Sequence, residues 1–317
     1  MILGGVAWIY TSAIAETYAP AILQKMAAER RRETGDDRWW CRYDVKMSVT
    51  RSLRINLSRP FVLTATEPIL WFWDLYIAVV YGILYLCFVA YPIIFSEHRG
   101  WAPGFTGLAF SGIGVGTMIT ICTEPLQRRI INRHPKDPGT GKVAPEASVS
   151  MVCVAALLVP IGQLWFAWSS YPISIHWIWS ILAGVPFGMG NGLVFIYAGN
   201  YIAGSYGIYS ASAMAGNSVV RSLIGGTLPL AGTAMFQKLG INWAGTMLGL
   251  LECLLIPIPF VFYKWGSKIR DRSPVIRKMR EDQERIDKRA ARRGEARGDV
   301  EKTALEVGLT QTVSRVN

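Results

Sequence analysis

Six apolar stretches dominate the chain, the first opening at Glu67-Pro68 and the last closing near Tyr263, with short polar joints between them. A hydrocarbon layer about 30 Å thick is crossed by roughly 20 apolar residues in helical form, and each stretch supplies that length. The pattern predicts helices over residues 68–95, 103–124, 148–169, 175–199, 208–236 and 241–263. An all-α, multi-pass membrane protein follows, with the lipid bilayer as its first partner.

The front of the chain breaks this regularity. Met1 to Ala15 is apolar, but at 1.5 Å per residue it reaches only about 22 Å before Glu16. It reads as the lower part of a helix, running from outside to inside, and brings the expected crossings to about seven. A secretory signal fits poorly, because no charged region precedes the apolar run. A reverse-oriented anchor is an alternative; a chain truncated at its front accounts for both the short helix and the odd count. The expected organisation is a partial transmembrane helix (1–23), a charged central linker (24–66), a six-helix bundle (67–264) and a basic tail (265–317), disordered from Gly294 onward.

Composition agrees with the bilayer: 51% hydrophobic residues, 17% charged and a mean hydropathy of +0.27 leave too little polar surface to wrap a soluble domain. The net charge of +11 is unevenly placed. Lys and Arg crowd the stretch from Lys25 to Arg59, the joint from Arg128 to Lys142 and the tail from Lys264, whereas the opposite joints offer only Glu97, His98, Arg99 and Lys238. The positive-inside rule makes the basic side cytoplasmic, including the C-terminus. Topology and anionic lipid account for the charge, so nucleic acid is not an expected partner. Cys41, Cys87, Cys122, Cys153 and Cys253 are scattered, as are His98, His134 and His176, which leaves no disulfide framework, no metal site and no cofactor. No hydrolytic or redox constellation appears, so no catalytic residue is assigned and the protein is not expected to be an enzyme.

Within the spans, Gly184, Gly188 and Gly192 recur every fourth residue, as do Gly112 and Gly116, so each set lines one helical face and marks a packing seam. Ionisable side chains at depth are the better pointers to chemistry, because such groups face protein or water. Asp74, Arg221 and Glu252 qualify. Asp74 shares a helical face with Glu67 and Tyr81, and Arg221 shares one with Asn217. Asp74 and Arg221, the most deeply placed opposite charges, are expected to approach each other; Arg221 reads more readily as a structural ion pair than as a gate. Glu252 reads as a buried proton site or, more readily, as a contact to a missing helix. Asn191, Tyr197 and Asn200 offer polar groups to a cavity, while Trp177 and Trp179 suit either lipophilic and cationic guests or the interfacial belt.

A family resemblance rests on an ordered series of motifs. Glu16-Thr17-Tyr18-Ala19-Pro20, Arg59-Pro60-Phe61, Glu67-Pro68, Tyr76 and Tyr81-Gly82-Ile83-Leu84-Tyr85 come first. Gly107-Leu108, Gly112 to Gly116, Asn200-Tyr201-Ile202, Tyr209 to Arg221, Pro257 to Phe260 and Tyr263 to Gly266 follow in the expected order. Over roughly residues 10 to 275 the chain resembles the fungal drug and polyamine proton antiporters of the major facilitator superfamily. The resemblance implies a partial major facilitator fold: the six-helix C-terminal bundle plus the end of helix six, half of a transporter that binds substrate between two halves. It also implies a plasma-membrane antiporter conferring multidrug resistance, taking lipophilic or cationic small molecules and protons, with a second chain able to supply the N-terminal half. Substrate and proton pathway candidates are then Glu67, Asp74, Tyr81, Asn191, Tyr197, Asn200, Asn217 and Arg221. The pattern usually has Pro where Ala15 stands and acidic residues where Val89 and Gly204 stand, and the two lost acids count against family-like proton handling. The other function class is a non-transporting half-bundle or incomplete gene product, since rocking needs two halves.

Overall fold

The computed structural model describes residues 19–36, 39, 49–136 and 143–279, with positions 281, 284, 285 and 288 beyond. The expected partial span over Met1 to Ala15, Cys41 and nearly all of the tail after Met279 lie outside the described residues. The chain divides into two compact units, one of Met1–Ser52 with Arg280–Asn317 and one of Leu53–Met279. In the first, α1 (Ala19–Thr34) buries Leu23 and Ala27 against Met26 and Trp39, and the Arg30 guanidinium lies 5.9 Å from the Trp39 ring centre.

The larger unit is entirely helical apart from its joints. It holds most of α2 (Val49–Thr66), then α3 (Pro68–Tyr91), which continues as a wider π-helical segment over Pro92–His98. There follow α4 (Pro103–Leu108), α5 (Ser111–Cys122), α6 (Glu124–Asn132), α7 (Glu146–Ser169), α8 (Trp177–Tyr206), α9 (Ser210–Leu239), α10 (Ile241–Leu255) and α11 (Pro257–Arg272). Joined across short breaks, they form six segments long and apolar enough to cross a membrane: Pro68–His98, Pro103–Cys122, Glu146–Ser169, Trp177–Tyr206, Ser210–Leu239 and Ile241–Arg272.

Local chemistry sets the boundaries. Pro68, Pro103, Pro125 and Pro257 stand in the first turns of their helices, where a missing N–H costs nothing. Gly207 and Gly240 adopt φ of +43° and +78°, left-handed conformations that close α8 and α9. That is why the fourth span runs on to Tyr206, past the expected end at residue 199.

Helix α3 lies along α9, α8 is flanked by α5 and α7, and α10 and α11 pack against α7. Lipid tails are as apolar as leucine, so close packing and inter-helix hydrogen bonds hold such a bundle together. Trp73 of α3 meets Tyr201 of α8 at 5.1 Å and Phe262 of α11 at 5.4 Å between ring centres. Tyr91 stacks between Phe110 at 4.4 Å and Phe166 at 4.8 Å, tying α3 to α7 and to the α4–α5 joint. At one end Arg99 donates to the Ile175 carbonyl at 2.9 Å, capping the α7–α8 loop, and Trp168, Trp177, Trp179 and Trp243 are exposed nearby in the manner of an interfacial belt. At the other end Arg270 pairs with Glu146 at 3.3 Å.

Candidate functional site

The α3–α9 contact carries a stripe of polar residues. Residues 217, 221 and 225 fall on one face of α9 because four residues return nearly to the same angle. Asn217 meets Asp74: its Nδ2 donates to Asp74 Oδ1 at 2.8 Å, and both residues are buried. One turn on, the Arg221 guanidinium lies over two aromatic faces, 5.4 Å from the Tyr81 ring centre and 5.7 Å from that of Phe195. Gly225 completes the stripe, for a Cβ there would come within 2.7 Å of the Tyr81 ring. Tyr81 in turn donates to the Tyr85 hydroxyl at 2.9 Å.

Two atoms of this stripe, Asp74 Oδ2 and Arg221 Nε, are buried without a hydrogen-bond partner. Asp74 and Arg221 share this one stripe, but among the described residues no ion pair joins them. Asn217 takes the carboxylate, and the aromatic faces take the guanidinium. Toward one side the stripe opens onto a half-exposed aromatic surface of Tyr85 and Phe88. The arrangement provides a carboxylate with a free oxygen, a cation and π-faces side by side, the groups that attract protons and organic cations.

The remaining candidates lie elsewhere. Tyr197 on α8 donates to Gln127 Oε1 of α6 at 2.7 Å, and Gln127 Nε2 donates to the Thr120 carbonyl at 2.9 Å, so this group pins α6 to the base of α5 and α8. Asn191 turns its Nδ2 onto the Phe187 carbonyl of its own helix at 2.9 Å. Asn200 is exposed on the bundle surface. Glu67, fully buried at the break between α2 and α3, accepts from Tyr206 at 3.0 Å and from Ser273 at 2.8 Å. The five glycines sit where α5 meets α8. A Cβ on Gly112 would strike the Ile181 carbonyl, one on Gly116 the Val185 carbonyl and one on Gly188 the Ile113 carbonyl. A Cβ on Gly184 would come within 3.0 Å of Ile113 N, and one on Gly192 within 3.2 Å of Thr120 Oγ1. Phe195, Gln127, Tyr206 and Ser273 were not singled out from sequence. Tyr85, one turn from Tyr81, entered the sequence reading only as the end of the motif from Tyr81 to Tyr85.

Comparison with known proteins gives a consistent picture. The chain is 40% identical over 275 residues to an MFS-type efflux pump of Trichophyton rubrum, covering 86% of this chain and 46% of that protein. It is 40% identical over 273 residues to the major facilitator superfamily multidrug transporter mdrA of Aspergillus fumigatus, covering 84% and 44%. It is also 40% identical over 257 residues to the citrinin biosynthesis cluster MFS transporter of Monascus ruber, covering 80% and 51%. The chain thus spans about half the length of the curated relatives it matches. No family model matches, and neither does any solved structure.

Proposed function

We propose that this chain, homologous over most of its length to the fungal efflux pumps of the major facilitator superfamily, supplies one half of a proton-coupled exporter of drugs, toxins or polyamines. The observation that carries the proposal is the α3–α9 stripe: a buried Asp74–Asn217 pair next to Arg221, bordering aromatic faces, on one side of a six-span bundle. In this reading that side faces a second six-helix half, and substrate binds between the two. The second half comes either from sequence preceding this stretch or from another chain. Asp74, Asn217, Tyr81 and Arg221 line the pathway, with Asp74 as the proton acceptor and the π-faces of Tyr81, Tyr85 and Phe195 receiving lipophilic cations. Tyr197, Asn191, Asn200 and Glu67 shape the helices that border it. The glycine faces of α5 and α8 hold those two helices together as a rigid support. The basic joints and C-terminus lie in the cytosol and the bundle sits in the plasma membrane, an orientation supported by the distribution of Lys and Arg.

The test is reconstitution in vesicles with an imposed proton gradient. The chain joined to, or co-expressed with, the first six helices of a homologous efflux pump should export a lipophilic cation. Asp74→Asn in that assembly should lower gradient-driven flux by about a hundredfold or more, the lower end of the roughly 10²–10⁴ range over which a positioned proton-transfer group contributes. Flux through the chain alone would defeat the two-half reading. Full flux with Asp74→Asn would remove Asp74 from the pathway.

A further inference from the structure

Residues two apart on a helix point to opposite sides, so α3 presents Tyr76 away from the face that carries Asp74. Eleven residues further on, Cys87 returns to the Tyr76 side. On that side, enclosed by α3, α7 and α10, lies Glu252. It is 3% exposed, and neither of its carboxyl oxygens has a hydrogen-bond partner. Its electrostatic neighbours are Tyr76 and Cys87 of α3 and Cys253 beside it in sequence; Cys153 of α7 lies next to Tyr76. The Tyr76 hydroxyl is likewise buried and unpartnered. The ionisable residues of α9, also packed against α10, are Arg221 and Lys238. Arg221 is committed to Tyr81 and Phe195, and Lys238 sits exposed in the last turn of its helix. Among the described residues no cation reaches Glu252.

The sequence left Glu252 open between a proton site and a contact to a missing helix. Its enclosure by three helices of this same bundle removes the second option. Among the described residues a carboxylate in that buried position would have neither counter-ion nor donor, whereas a carboxylic acid carries no charge to be compensated. We propose that Glu252 is a proton-binding site, held as an uncharged carboxylic acid between α3, α7 and α10 and separate from the Asp74 stripe. The inference does not rest on the transport reading. It concerns which atoms carry a proton in the resting chain, whether or not the chain moves a solute. Where proton coupling operates, Glu252 adds a second proton-binding position on the far side of α3. Its ionisation would force water in or part α10 from α3.

Infrared spectroscopy of the purified full chain in lipid nanodiscs decides the point. The wild-type spectrum at pH 7, minus that of Glu252→Gln, should show one carboxylic acid carbonyl band with no matching carboxylate bands. The same band should be missing in Glu252→Met, which guards against a misfolded Gln variant. Raising the pH should convert the band reversibly to carboxylate absorption. Tyr76→Phe should move the band's frequency without abolishing it. Carboxylate absorption from Glu252 at pH 7 would overturn the proposal. So would a wild-type difference band that persists when both Glu252 variants are compared with each other.

Discussion

Two helix contacts of the larger unit, α5 with α8 and α3 with α9, are closed by opposite means. Between α5 and α8 the side chains are removed: glycines let the Ile181, Val185 and Ile113 carbonyls come where a Cβ would stand. Between α3 and α9 polar side chains are inserted: Asn217 donates to one oxygen of Asp74, and Arg221 leans on rings. The first contact is set by backbone shape and leaves no room for a substituent. The second keeps unsatisfied atoms and an open aromatic edge, so it retains the capacity to change partners. In a bilayer, where burial of apolar surface offers little preference for one helix pairing over another, the first design fixes a support and the second builds a working surface.

The contrast can be attacked from the glycine side first. Gly188→Leu should have the largest effect, a loss of about 3 kcal/mol or more, because the new side chain meets backbone that cannot rotate away. It should appear as a collapsed melting transition or loss of the monodisperse peak in detergent. Gly114→Ala, on the same helix as Gly112 but with nothing within contact distance, should stay within about 0.5 kcal/mol. An equal response at both positions would mean that close approach does not govern this contact.

On the polar side, Asp74→Ala strands the buried Asn217 amide and should cost about 1–3 kcal/mol, read from the thermal midpoint. Asp74→Asn, which keeps an acceptor, should cost less than half as much. If the two variants melt together, the hydrogen bond is not what holds Asn217. The smallest effect expected on this polar side is that of Arg221→Lys. It preserves the charge but loses the flat contact with Tyr81 and Phe195, for about 0.5–1 kcal/mol. Doing the same in a Tyr81→Leu background should leave a visibly smaller difference, as coupled residues require.

Sequence made the architecture readable because length and apolarity are what a bilayer selects. All six spans were placed, with ends within a few residues except where α8 runs on to Tyr206 before Gly207 closes it and where the last span runs on to Arg272. The depth of Asp74 and Arg221 was equally visible. Their partners were not, since spacing along one helix says which residues share a face but nothing of how far a neighbouring helix has slid. The register of α9 on α3 brings Asn217 to Asp74 and leaves Arg221 one turn away, beside the Tyr81 ring. Gln127 escaped notice for a related reason: it lies in a short polar helix whose sequence reads as a joint, and only folding delivers it to Tyr197.

Glu67 draws together hydroxyls from Tyr206 and Ser273, residues 139 and 206 positions downstream, and Ile276 beyond Ser273 is itself buried. The closing stretch of the bundle is therefore stitched back to its opening. Reporter fusions for mapping topology belong after Met279. A cut made at residue 264, where hydropathy alone would end the last crossing, severs α11 and strips the carboxylate of one of its two donors.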